Sequence, residues 1–230
     1  MKESLNTAED SGDLRSATAI CNELGGYFRK LSRYEEGAAI YEKALAYIEK
    51  LGISGSEHHA TTLINYATTC TQAGEREKAL SFFQKAAEIF AEKGLTADYR
   101  VAALHNNISS LYQDAADLPN AEKHLRMALS VLEGLEGTGL EAAITYTNWA
   151  QLCLAADRLA DAEEKVLLAL GAFEKAGGGH DTHYAAAVNV LGKISYTKGD
   201  YPAAIAQFKE AMDLIQQEFG DGNMSYAVLC

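Results

Sequence analysis

The chain has 230 residues, 48% of them hydrophobic and 23% charged, with only two prolines, a composition that supplies a continuous apolar core and argues against a disordered or loop-dominated protein. A formal net charge of −12 argues against nucleic acid as a partner, since phosphate binding rests on clustered Lys and Arg. No stretch approaches the roughly eighteen apolar residues of a membrane span, and the first thirty residues lack a basic start followed by an apolar run, so no membrane partner and a cytoplasmic protein are expected.

From the N-terminus, residues 1–15 read as a capping or partial helix, because Lys2 and Glu3 fall where the pattern that follows demands small apolar residues. That pattern is an internal repeat. Tyr34-Glu-Glu-Gly37-Ala-Ala-Ile-Tyr41-Glu-Lys-Ala44-Leu45 and Tyr201-Pro-Ala-Ala204-Ile-Ala-Gln-Phe208-Lys-Glu-Ala211-Met212 share one template, with three copies between them. Small residues recur at Gly37, Ala79, Ala121, Ala162 and Ala204, at spacings of 42, 42, 41 and 42. Twelve residues before each stands Gly25, Ala67, Ser109, Ala150 or Gly192, and seven after each stands an alanine, from Ala44 to Ala211. Large residues hold equally regular places at Leu24, Tyr66, Ile108, Trp149 and Leu191, and at Tyr41, Phe83, Leu125, Val166 and Phe208.

This alternation predicts helical hairpins. Where two antiparallel helices cross closely, a side chain larger than Ala pushes the backbones apart, and bulky neighbours must fill the space around the crossing. Breaks such as Gly74-Glu75 and Gly199-Asp200 separate the first helix of each pair from the second. The expected repeats are 16–56, 57–98, 99–140, 141–181 and 182–222, with 223–230 opening a truncated sixth, because Tyr226-Ala-Val-Leu-Cys230 matches the start of a first helix at Ala60 and Ala185. A naturally longer protein, and self-association through the apolar face of the unfinished repeat, are expected on this reading.

Leu24-Gly25-x-x-Phe28, Tyr34, Gly37, Tyr41 and Ala44-Leu45 resemble the tetratricopeptide repeat consensus, over roughly residues 16 to 222. The 42-residue period is similar to the repeats of kinesin light chains and of bacterial regulatory scaffolds, which also carry Asn-Asn in the first helix, as Asn106-Asn107 does here. Departures are Leu118 and Leu159 at aromatic positions, Asp157 at a turn glycine, and Ser195 at an aromatic site beside Tyr196. The resemblance implies an all-α fold, a right-handed α-solenoid of about five helix-turn-helix hairpins, acting as a protein-interaction scaffold and not as an enzyme.

In such an architecture the first helices line a concave groove. One inward row reads Asn22, Ile64, Asn106, Thr147 and Asn189, and the next Glu23, Asn65, Asn107, Asn148 and Val190. Later turns add Arg29, Lys30, Gln72, Gln113, Asp114, Gln151, Lys193 and Thr197, while Leu154 and Tyr196 share a slot that could hold an apolar anchor. An amide offers both donor and acceptor, as the backbone of an extended peptide requires. The expected peptide-binding residues are therefore Asn22, Arg29, Lys30, Asn65, Gln72, Asn106, Asn107, Gln113, Asn148, Gln151, Leu154, Asn189, Lys193 and Tyr196. The acidic excess is assigned to the outer helices and to solubility. The chaperone-tail set of Lys, Arg and Asn that holds a terminal carboxylate is represented only in its Asn part, so that function is not carried over. A self-assembling structural module and a peptide-sensing regulator with a separate output domain are the competing expectations.

No cofactor, metal or catalytic constellation is expected. Cys21, Cys70, Cys153 and Cys230 are isolated, without the paired spacing of a zinc site or disulfide framework. His58 and His183 read as connection residues within His58-His59 and His180-Asp-Thr-His183, and His105 as a core histidine. Gly177-Gly-Gly179 has no Lys-Ser or Lys-Thr after it and reads as a flexible connection instead of a phosphate loop.

Overall fold

The computed structural model describes residues 1–177 and 181–219; His180, Gly178, Gly179 and the 223–230 segment with Cys230 lie outside the described residues. Those described form helices joined by short connections: α1 (Lys2–Asp10), α2 (Leu14–Lys30), α3 (Tyr34–Lys50), α4 (Glu57–Gln72), α5 (Arg76–Glu92), α6 (Tyr99–Asp114), α7 (Leu118–Leu132), α8 (Gly139–Ala155), α9 (Leu159–Lys175), α10 (Thr182–Thr197) and α11 (Tyr201–Phe219). No strand occurs among the described residues. The chain divides into two compact units, Met1–Thr96 and Ala97–Cys230.

The first unit holds α1 and the hairpins α2/α3 and α4/α5; the second holds α6/α7, α8/α9 and α10/α11. Both helix boundaries recur with the period. Four of the five first helices begin at a side-chain cap: Asp13 accepts from the Ser16 amide, Ser56 from His59, Asp98 from Arg100, and Asp181 from His183 and Tyr184. Each first helix ends in a left-handed residue, at Ser32, Gly74, Ala116, Asp157 and Gly199. The amide after it bonds back five residues, from Arg33 to Phe28, Glu75 to Cys70, Asp117 to Tyr112, Arg158 to Cys153 and Asp200 to Ser195. Asp157 thus adopts the conformation expected of a glycine, with φ of 56°. Asp tolerates it better than the Ala116 side chain does, which holds φ of 58°.

All fifteen small positions of the repeat are buried. The tightest crossings explain which of them is Gly. A Cβ on Gly25 would lie 2.5 Å from the Tyr41 ring, and one on Gly192 would lie 2.6 Å from Phe208, so the largest residues of the second helices require no side chain opposite. Gly37 in turn approaches the next hairpin, its virtual Cβ lying 3.4 Å from Thr69.

In the first unit, Leu5 and Ala8 of α1 complete a core with Ala17, Cys21, Leu24, Phe28, Ala44 and Tyr47. Lys2 and Glu3 are exposed. The connection between α1 and α2 is shorter than that between α3 and α4, which shifts the buried face of α1 away from the register obtained by counting back one period. In the second unit, one core joins α7, α8, α9 and α10 through residues such as Leu125, Trp149, Val166 and Ile194. Glu122 ties α7 to α9 on the outside, accepting from Arg126 at 2.6 Å and Arg158 at 2.7 Å.

Candidate functional site: the amide row of the first helices

The amide row is built by helix periodicity, since residues three and four apart share a face and the 42-residue period repeats that face in the next hairpin. In the first unit, Asn22, Arg29, Lys30 and Asn65 gather around one open cavity of about 390 Å³, together with Glu23 and Tyr27. The side chains of Arg29 and Lys30, on the last turn of α2, make no hydrogen bond or ion pair with another described residue. Their charge is available to a ligand and also favours the carboxyl end of the helix. Gln72 ends α4, exposed and outside this cavity.

Several of these amides already have partners. Asn22 Nδ2 donates to Thr62 Oγ1 at 2.9 Å and to the Thr18 carbonyl at 3.2 Å, and its Oδ1 accepts from Asn65 Nδ2 at 3.4 Å. The same arrangement recurs in the second unit. Asn106 donates to Thr145 Oγ1 at 2.8 Å and to the Ala102 carbonyl at 3.2 Å, and accepts from Asn148 Nδ2 at 2.9 Å. These bonds clamp the first helices of adjacent hairpins, α2 to α4 and α6 to α8. The signal in the sequence is the alternation Ile20, Thr62, Leu104, Thr145, Ala187, with Thr in the second and fourth hairpins only. Thr62 and Thr145, missed in reading the inward rows, belong to the row because they orient its asparagines.

Asn107, Gln113, Gln151, Asn189 and Lys193 form no side-chain hydrogen bond with another described residue, and all but the exposed Lys193 are half-buried. Two expected row members are corrected. Thr147 is buried, returning its hydroxyl to the Ala143 carbonyl, and Val190 is fully buried in the core. Leu154 is half-buried against the core of the second unit, whereas Tyr196 is 62% exposed and meets Tyr201 edge to face.

Cys21, Cys70 and Cys153 are buried free thiols, and burial pushes Cys21 up to about 11 and Cys70 up to about 12, far from a reactive thiolate. His58 and His183 are exposed in the first turns of α4 and α10, and His105 is buried. Among the described residues, no three His, Cys, Asp or Glu side chains converge as metal ligands, and no helix is long and apolar enough to cross a membrane.

Hairpins with small residues at every crossing and a polar row on their first helices define an all-α helical-hairpin repeat protein of the interaction-scaffold class. Residues 15–92 and 141–217, more than half of the chain, match the tetratricopeptide repeat model, and the chain belongs to that family. It is similar to a kinesin light chain-related protein 2 of Arabidopsis thaliana, 24% identical over 210 residues that cover 88% of this chain but only 31% of that protein. Its fold resembles the crystal structure of BtubC (BKLC) from P. vanneervenii, with a TM-score of 0.75 and 19% identity over 93% of this chain and 87% of the other. It also resembles the apo form of the quorum sensor NprR from B. thuringiensis, with a TM-score of 0.73 and 17% identity over 99% of this chain and 62% of the other. At these identities the structural likeness concerns the fold alone.

Proposed function

We propose that this protein captures an extended peptide, or a helix of a partner protein, on the polar row of its first helices, and works as an adaptor without catalysing a reaction. The observation that carries the reading is the cavity shared by Asn22, Arg29, Lys30 and Asn65, where two unpaired cations stand beside two amides, Asn22 held by Thr62 and Asn65 by Asn22. Amides fixed in this way cost little entropy on binding, and Asn65 keeps an oxygen to accept a peptide N–H. In the second unit, Asn107, Gln113, Asn189 and Lys193 supply the free donors and acceptors, and Tyr196 offers an exposed apolar contact. Five repeats, 16–56, 57–98, 99–140, 141–181 and 182–222, carry the row. Three buried free thiols suit the reducing cytoplasm to which it is assigned.

The test is a pull-down with the chain as bait beside two variants, Arg29→Ala/Lys30→Ala and Asn107→Ala/Asn189→Ala. A partner held by the wild type and lost from either variant, with unchanged circular dichroism, supports the reading. Identical partners on all three baits would overturn it.

A further inference from the structure

A wide cleft in the first unit lies away from the amide row. It is an opening of about 800 Å³ between α3 and α5, floored by the start of α4. Leu45, Leu63, Phe82 and Ile89 supply an apolar base, of which Leu45 and Phe82 are half-exposed. The rim is acidic, formed by Glu42 and Glu49 of α3 and by Glu88 and Glu92 of α5, against the single base Lys85.

Three observations set this cleft apart from the general acidity of the chain. Glu49, Glu88 and Glu92 form no ion pair with another described residue, and Glu88 and Glu92 are one turn apart on α5, a like-charge spacing that destabilises a helix by itself. His59, at 8% exposure, lines the cleft; its Nδ1 accepts from the Gly55 amide at 3.0 Å, so the neutral ring carries its proton on Nε2, which has no protein partner among the described residues. Two repeats further on, the positions equivalent to Glu42, Phe82 and Glu92 are Arg126, Lys165 and Lys175, and Gly171 stands in place of Glu88. The counterpart of Glu49, Glu133, stays acidic, but at the positions of Glu42, Glu88 and Glu92 the repeat does not require acids, since the second unit carries Arg, Gly and Lys there.

We propose that the cleft between α3 and α5 docks a basic amphipathic helix of a partner protein, its apolar face on Leu45, Phe82 and Ile89 and its Lys and Arg among Glu49, Glu88 and Glu92. The lining runs from Glu42 to Glu49 on α3 and from Phe82 to Glu92 on α5, about 12–16 Å of helix, so two to three turns of an occupant lie in the cleft. The unpartnered His59 N–H donates to a hydroxyl or carbonyl oxygen of that helix. Charge complementarity steers the encounter, and the apolar base supplies the burial that separates a fitted helix from a diffuse counterion.

The probe is an 18-residue synthetic peptide with Leu at i, i+3, i+4 and i+7 and Arg on the flanks, labelled for fluorescence anisotropy, beside a scrambled peptide of equal composition and beside spermine. Saturable binding of the amphipathic peptide, weakened on the order of tenfold or more by Glu49→Lys/Glu88→Lys, is expected. Leu45→Ser should weaken it too, whereas Arg29→Ala/Lys30→Ala should leave it unchanged, which separates this cleft from the amide row. If the charge-reversed protein loses helicity, Glu88→Gln/Glu92→Gln replaces it, with a smaller loss expected. Equal binding of the scrambled peptide or of spermine, binding unaltered in the acid variants, or no saturable binding would overturn the proposal.

Discussion

Asn106 on α6 donates to Thr145 on α8 at 2.8 Å, and Asn22 on α2 donates to Thr62 on α4 at 2.9 Å, so the same amide-to-hydroxyl bond closes one hairpin junction in each unit. Each threonine hydroxyl passes its own proton to a carbonyl of its helix, from Thr145 to Glu141 and from Thr62 to His58. The hydroxyl oxygen is therefore left to accept the amide. The bond fixes an amide of the row and holds two hairpins together at once.

Replacing Asn106 by Ala should destabilise the second unit by about 1–3 kcal/mol, because Thr145 and Asn148 both lose their partner in a half-buried setting. Asn107→Ala, at a side chain that makes no hydrogen bond to another described residue, should change stability by less than about 0.5 kcal/mol. Urea unfolding of the two variants reads the difference. Equal effects would mean that the clamp contributes nothing.

The Gly192 and Phe208 pair allows a test in which the sign is informative. An alanine in a helix is favoured over glycine by about 1 kcal/mol, so Gly192→Ala would stabilise α10 if space allowed. The Phe208 ring, 2.6 Å from the added Cβ, reverses this, and a net loss of about 1–3 kcal/mol is expected. Phe208→Leu in the same chain should recover part of that loss. Thermal melts of the single and double variants check it, and a more stable Gly192→Ala single variant would contradict the packing.

His105 and His124 bring their Nδ1 atoms to 3.1 Å between α6 and α7, with Tyr112 stacked on His124. Burial, with His124 beside it, pushes His105 down to about 4, and burial lowers His124 as well. The unfolded chain takes up these protons near pH 6.5 while the folded chain resists, so stability is full above about pH 6.5 and falls as pH drops towards 4. For His105 the loss is on the order of 3 kcal/mol at the acid end. Urea midpoints at neutral pH and near pH 4.5 should differ in the wild type by more than in His105→Leu. An equal acid shift in both would assign the sensitivity elsewhere.

Much of this was written in the sequence because close packing leaves a periodic trace. Gly25, Ala67, Ser109, Ala150 and Gly192 could be aligned without coordinates, since a helix crossing tolerates only small side chains and does so at every repeat. Helices, hairpins and the family followed from that register, as did the first-helix row carrying Asn22 and Asn106. Thr62 and Thr145 were legible only as an unexplained alternation, because a hydroxyl on a helix is as readily solvated as bonded. Period alone also misplaced Thr147 and Val190, while the misfit of Lys2 and Glu3 to the period set residues 1–15 apart from the repeats.

What only the tertiary structure decided is which side chains are spent and which remain free. Asn106 and Asn107 are neighbours of one residue type, and nothing local distinguishes them; the hydroxyl of another hairpin, 39 residues away from Asn106, engages the first and leaves the second open. The same holds for the acids of α3 and α5, spread over the sequence as ordinary solvated residues until the hairpins bring them around one apolar cleft. Local sequence dictates helix and crossing through sterics that act within a few residues. Charge fields and hydrogen-bond satisfaction depend on distances across the fold, and those exist only once the chain has packed.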